Sequence, residues 1–184
     1  MVADRPTQTI RLSEDQYHWL VGKHPLIQER VNKIRSLLPR LELAQDRARL
    51  KAALEPGARS VIEHMTASQL SGFAIFSQIK EFKQGHHVFV KGDEVDGFYI
   101  LLSGHLAVGT EGRVTSELSE GDVFGETGLL EGTTREASVT VVSIDAEVLF
   151  MSTGSFQQLL HTVPAFAWGI WETAAGRRDL IRRP

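Results

Sequence analysis

Glu126 and Arg135 stand nine positions apart in FGETGLLEGTTREASV, residues 124–139, together with three glycines and a short apolar pair. An arginine presents a planar fork of donors that suits two oxygens of a phosphate or carboxylate. Backbone N–H groups around Gly125 to Leu129 could line the same concavity if a short helix starts there. Gly125 and Gly128 carry no Cβ, so backbone can approach a ligand closely at both. Glu126 is acceptor-only when ionised and would repel an anion unless it met a different part of the ligand, such as a hydroxyl. A phosphate and a neighbouring hydroxyl on one small rigid molecule describe a sugar phosphate or nucleotide. The competing reading is a pair of solvated charges in a polar surface loop, and composition leaves both open. The segment is longer than an ordinary connection of about four to six residues.

The elements that must position these residues are constrained by the whole chain. Its 184 residues suffice for one domain with an appendage, and 42% hydrophobic content is ordinary for a chain that buries a core. A formal charge of -3 supplies no overall basic field for nucleic acid or an anionic membrane. The sequence contains no cysteine, which excludes disulfides, cysteine-ligated zinc, iron–sulfur clusters and thiol catalysis. No run of about 18 apolar residues occurs and the N-terminus has no apolar signal-like region, so a cytoplasmic protein without a membrane partner is expected.

From Pro25 to about Leu54 the pattern is helical, with Ile27, Val31, Ile34, Leu38 and Leu41 on one face. Pro39 interrupts that face and predicts two helices, 25–38 and 39–54. A third helical piece covers ARSVIEHM, and Thr66 with Gln69 has capping-box spacing for a short helix. After Phe76 the period changes to short β-branched and aromatic runs cut by glycine turns, which predicts an antiparallel barrel or jelly roll. The fold class is therefore α+β, mainly β: an antiparallel barrel or jelly roll with flanking helices and an N-terminal helical appendage. The expected divisions are 1–65 for the helical region, 66–163 for the roll and 164–184 for a last helix opened by Pro164. Residues 1–72 hold 11 lysines and arginines against 8 acids, whereas residues 73–184 hold 9 against 15. Opposite signs favour the helices folding back onto the roll of the same chain, with a dimer seam as the alternative.

The stretch FGETGLLEGTTREASV resembles the phosphate-binding cassette of the cyclic nucleotide-binding domain family: Phe-Gly-Glu, a few small and apolar residues, then arginine before a small-residue strand. FKQGHHVFVKGDEVDGFYILLSG and LSEGD resemble that family's upstream motifs and follow in the right order. The likeness covers about residues 66–183 and is to the sensor domains of catabolite activators and protein kinase A regulatory subunits. It implies a β-roll flanked by helices, binding rather than catalysis, and a conformational output to a protein partner or homodimer through the helical segments. Arg135 would pair with the cyclic phosphate and Glu126 would accept from the ribose 2′-hydroxyl. Phe124, Gly125, Thr127 and Gly128 would surround ribose and phosphate, with Ala137 and Ser138 on the strand beneath. A C-terminal lid would offer Trp168, Trp171, Arg182 or Arg183 to cap the base.

Glu136 departs from the family pattern, which has alanine, serine or threonine directly after the arginine. The absence of a threonine there favours cAMP over cGMP; a carboxylate turned inward would weaken either nucleotide, and one turned outward would cost little. With the chain ending at Pro184, a helix-turn-helix is not expected and nucleic acid is not a partner. A degenerate roll serving protein interaction, and a fragment of a transcription regulator, are the alternative functions. No metal is expected: His86 and His87 are adjacent on a strand and point to opposite faces. Tyr17, His18 and Trp19 are expected to pack or to cover the roll, and the arginine-rich tail to end a solvated helix.

Overall fold

The computed structural model describes residues 12–55, 60–110, 112–131 and 134–162. Eight strands among them make two four-stranded antiparallel sheets. One runs in the order β1 (Gln78–Lys83), β8 (Asp145–Ser152), β3 (Gly97–Ser103), β6 (Val123–Phe124). The other runs β2 (His87–Phe89), β7 (Ser138–Val141), β4 (Leu106–Thr110), β5 (Arg113–Leu118). The expected α+β roll is thus the observed architecture.

Period-two alternation divides the hydrophobic residues between two cores. On β3, Phe98, Ile100 and Leu102 join a cluster with helical residues, while Tyr99 and Leu101 join the roll interior. On β8, Leu149 and Met151 face the first cluster, and Ala146, Val148 and Phe150 face the second. β3 and β8 are neighbours in the sheet, with Tyr99 opposite Phe150 and Ile100 opposite Leu149. Both strands are therefore covered on two sides, which is why GFYILLS reads as a near-continuous apolar run.

The helices form the outer layer: α1 (Glu14–Lys23), α2 (Pro25–Leu54), a 3₁₀ turn (Val61–His64), α3 (Ala67–Phe76), α4 (Glu126–Glu131) and α5 (Thr153–Thr162). Thr66 and Gln69 close the expected capping box on α3, at 3.3 and 2.7 Å. ARSVIEHM forms only the 3₁₀ turn among its described residues, rather than a full helix. The expectation of two helices divided at Pro39 does not hold, because α2 runs through it. Proline removes one N–H and crowds the carbonyl of residue 35, and Arg35 and Pro39 both face solvent. On the other side Leu37, Leu41, Ala44, Gln45 and Ala48 form the buried stripe that holds the helix continuous.

The charge imbalance between the halves is realised as contacts between α2 and the roll. Arg40 pairs with Glu147 on β8, Arg47 with Glu120, and Lys51 with Asp122 at 2.6 Å. Glu120 and Asp122 belong to the turn that leads directly into β6. Gly121, between them, has φ +91° and lies so close to α2 that a Cβ there would stand 2.6 Å from the Ala44 carbonyl oxygen. The Ser60 hydroxyl donates to the Gly121 carbonyl at 3.0 Å, adding the segment after α2 to the same joint. Trp19 on α1 is 65% exposed, and the helix packs along α2, so this residue is not a covered packing group. Among the described residues no helix is long and apolar enough to cross a membrane.

Gly121 tests whether this joint holds the helix. Gly121→Ala imposes both a disfavoured φ and an overlap with backbone, so it should lower unfolding free energy by roughly 1 to 3 kcal/mol. Urea denaturation followed by circular dichroism measures it, and an unchanged midpoint would mean that α2 does not press on this turn.

Candidate functional site

The site is assembled where β6 hands over to α4. Phe124 ends β6 with its ring stacked on Tyr99 at 5.1 Å between centroids, which fixes the chain as it leaves the sheet. Gly125 then turns it with φ +81°. A Cβ at this position would meet the Arg135 Nη1 at 2.7 Å and the rings of Phe89 and Tyr99 at 3.4 Å. The missing side chain thus makes room for the guanidinium. At Gly128 the corresponding space is filled by Val95, whose Cγ2 would stand 2.6 Å from a Cβ. Both glycines admit parts of this chain, where the sequence reading reserved their space for a ligand.

Arg135 is placed from the opposite side by the turn after β2. Its backbone N–H donates to the Asp93 carbonyl at 2.9 Å, and its own carbonyl accepts from the Gly92 N–H at 2.8 Å. The Asp93 carboxylate accepts from the Val90 N–H at 2.8 Å and closes that turn. A two-way backbone clamp therefore fixes the Cα of Arg135 before β7 begins.

Its side chain runs inward and is 3% exposed. Nη1 donates to the Gly125 carbonyl at 2.7 Å; Nη2 donates to the Asp96 carboxylate at 2.6 Å and to the Gly97 carbonyl at 2.7 Å. The guanidinium carbon lies 4.1 Å from the centre of the Phe89 ring and 5.6 Å from that of Tyr99, a cation-on-aromatic arrangement. Nε is buried and makes no hydrogen bond. Two carbonyls and one carboxylate thus hold the fork, and Nε stays unspent. Glu126, at the start of α4, is 1% exposed. The reading of Glu126 and Arg135 as solvated surface charges is excluded by their burial.

Asp96 is the exposed member of this group, with half of its side chain accessible. It accepts from the Tyr99 hydroxyl at 3.1 and 3.3 Å and has the Lys80 ammonium 3.8 Å away. Burial first, and the Asp96 carboxylate second, push the Tyr99 phenol far above its ordinary range, so it stays a donor at any neutral pH. Lys80, on β1, also lies 3.5 Å over the Phe150 ring and 5.5 Å from the centre of Tyr99.

The other expected positions divide. Phe124 belongs to the roll core, while Thr127 and Ala137 are half-buried. Glu136 is exposed and so faces outward. The Ser138 hydroxyl accepts from the Lys91 N–H at 3.0 Å and ties β7 to the turn that clamps Arg135. Trp168, Trp171, Arg182 and Arg183 lie outside the described residues. Sequence reasoning missed Asp96, Lys80, Phe89 and Tyr99. Lys80 lies within β1, a strand of mixed burial, and Asp96 one residue before β3, so neither stands out in the side-chain pattern. His87 is engaged with the Thr140 hydroxyl at 2.9 Å, and no cluster of three metal-ligating side chains occurs among the described residues.

With this geometry established, known proteins give it a context. Residues 79–163 match the model of the family described as cyclic nucleotide-binding domain. A cGMP-dependent protein kinase of Toxoplasma gondii is 35% identical over 104 residues, covering 53% of this chain and 10% of that protein. A cAMP-dependent protein kinase regulatory subunit of Yarrowia lipolytica is 36% identical over 92 residues, covering 49% of this chain and 24% of the relative. Among the curated relatives compared, the chain spans no more than about a quarter of their length. In three dimensions the catabolite activator protein of Thermus thermophilus shares the fold with a TM-score of 0.60 at 24% identity, over 66% of this chain and 59% of that one. A PKAR CBD2 structure with Sp-2Cl-cAMPS bound aligns with a TM-score of 0.55 at 22% identity, over 67% and 85%.

The glycine before Glu126 offers a direct test of the packing. Gly125→Ala should expel the guanidinium and destabilise the roll by roughly 1 to 3 kcal/mol, since overlap and positive φ act together. Urea denaturation provides the measurement; wild-type stability would show that Arg135 does not occupy this space.

Proposed function

Because residues 79–163 are a domain of the cyclic nucleotide-binding family, we propose that this chain is a cAMP sensor that binds without catalysing and passes the event to a partner through its helices. The observation that carries the reading is the buried Arg135 fork, with an unspent Nε and with one of its acceptors, Asp96, free to move toward solvent. A cyclic phosphate would take Nε and Nη2, replacing Asp96 by another anion of like charge, while the two carbonyls keep the guanidinium aligned. Glu126, at the head of the next helix and buried, is the candidate acceptor for the ribose 2′-hydroxyl. Gly125, Thr127, Gly128 and Ala137 would complete the wall.

cAMP is favoured over cGMP because Glu136, in place of a threonine hydroxyl after the arginine, faces away from the site. The relatives include kinases named for each nucleotide and favour neither. For the output, movement of the cassette would reach α2 through the Ser119–Asp122 turn, where Lys51 and Arg47 are attached. The C-terminal lid remains part of the proposal on sequence grounds, as does a cytoplasmic location. A second reading also has an observation behind it: a fork whose Nη1 and Nη2 already bond inside its own chain would serve a roll that binds no nucleotide and acts in protein contact.

Calorimetry with cAMP and cGMP separates the two. Saturable binding of cAMP, tighter than cGMP, supports the sensor; heat from neither supports the interaction module. Arg135→Ala should weaken cAMP roughly 30-fold or more, the effect of removing one partner from a desolvated charge pair. A 2′-deoxy analogue should lose affinity for the wild type and hardly any for Glu126→Ala, and additive losses would remove Glu126 from the site. Glu136→Ala should leave affinity unchanged; tighter binding would show that the carboxylate reaches the phosphate.

A further inference from the structure

Strand parity on β1 sends Ile79 toward the helices and Phe82 into the roll, and Lys80 shares the Phe82 face. Its partner across the sheet is Val148, fully buried in the roll interior. An apolar residue is what such a position calls for, and a cation there, only about a third exposed, has given up part of its hydration. Its ammonium lies over the Phe150 and Tyr99 rings, and its anionic neighbour is the second oxygen of Asp96, at 3.8 Å. The first oxygen of the same carboxylate is on Arg135. Asp96 is thus shared unequally by two cations, with the Tyr99 hydroxyl donating to both of its oxygens.

We propose that Lys80 is a positioning residue for ligand binding: it receives Asp96 when an anion takes Arg135. The identity of that anion rests on the nucleotide reading above; the exchange itself follows from the charges. Arg135 and Lys80 face one carboxylate, so an arriving monoanionic phosphate completes two ion pairs. Were Lys80 uncharged, the displaced carboxylate would stay within a few ångströms of the phosphate, and like charges in a partly dry site repel strongly. Lys80 gives Asp96 a destination reached by a small rotation, with Tyr99 able to remain its donor. Lys80 therefore acts on affinity through Asp96, without needing to touch the ligand.

Two measurements on the full chain decide this, one of them free of nucleotide. In the first, the Lys80 ammonium is followed by ¹⁵N-edited NMR. Arg135→Gln releases Asp96, so the Lys80 signal should shift and its protons should exchange more slowly with water; in Arg135→Gln/Asp96→Asn the change should vanish. An ammonium signal indifferent to Arg135→Gln overturns the proposal. The second is cAMP calorimetry. Lys80→Met should weaken binding roughly three- to tenfold, the scale of one partly exposed charge contact, and Lys80→Arg should restore most of it. In an Asp96→Asn background the same Lys80→Met change should cost less than about twofold, because no displaced carboxylate remains to be received. Equal losses in both backgrounds would mean that Lys80 contacts the ligand or only supports the roll, and would overturn the proposal, as would no loss in the native background. If the wild type binds neither cAMP nor cGMP, the sensor reading fails while the NMR arm still decides the part assigned to Lys80.

Discussion

A guanidinium keeps its charge at any physiological pH, so burying one obliges the fold to supply acceptors for it. Arg135 imposes that obligation at the centre of the roll. Two acceptors, Gly97 and Gly125, are backbone carbonyls at the ends of strands, and their positions depend on β3 and β6 being in register. The third, Asp96, is one residue before β3. Phe89 from β2 covers the face of the group, and the Gly92–Asp93 turn clamps its backbone. Strands from both sheets and the turn after β2 are thereby tied to one side chain. A carbonyl cannot leave without dismantling a strand, whereas a half-exposed carboxylate can rotate away. Two of the three acceptors are thus backbone fixed by the strands, and the third is a half-exposed side chain.

The helical layer depends on the same strands from their other face. β3 and β8 place alternate residues into the roll and under the helices, so the two clusters share a wall one strand thick. Tyr99 and Phe98 are neighbours in sequence, yet one stacks beside Arg135 and the other meets Phe73 and Phe156 of α3 and α5. A shift of β3 sensed by the site is a shift sensed by the helices. α2 adds a second connection at the turn before β6, where backbone touches backbone across Gly121 and side-chain length cannot absorb a displacement. Packed interfaces of this kind respond by discrete rearrangement more readily than by gradual deformation.

Much of this was legible in the residues. The change from helical to strand period after Phe76, the glycine turns and the Thr66–Gln69 cap each follow from local chemistry, and each is present. The opposite charge of the two halves was an adequate guide to α2 folding back on its own roll. Pro39 misled, because a helix-breaking propensity of a few kcal/mol was set against no knowledge of packing, and the stripe from Leu37 to Ala48 outweighs it. Glu126 and Arg135 were identifiable as a pair, but the acceptors of Arg135 were not. Carbonyl groups of Gly97 and Gly125 leave no trace in side-chain pattern, and Asp96 lies 39 residues from the arginine it meets.

The amino-acid sequence by itself determined the menu: an antiparallel roll, its flanking helices, a family likeness carried by the cassette, and two charged residues able to meet a phosphate and a hydroxyl. These are local or short-period properties, set by turn chemistry, alternation and side-chain valence. Tertiary structure alone decided that Arg135 is buried and engaged, that Glu136 faces out, and that Lys80 and Asp96 stand at the same mouth. Those outcomes hang on which strands become neighbours and on the faces their side chains then share. Such pairings bring residues from four separate segments within hydrogen-bond reach, and no spacing along the chain encodes a distance across a sheet.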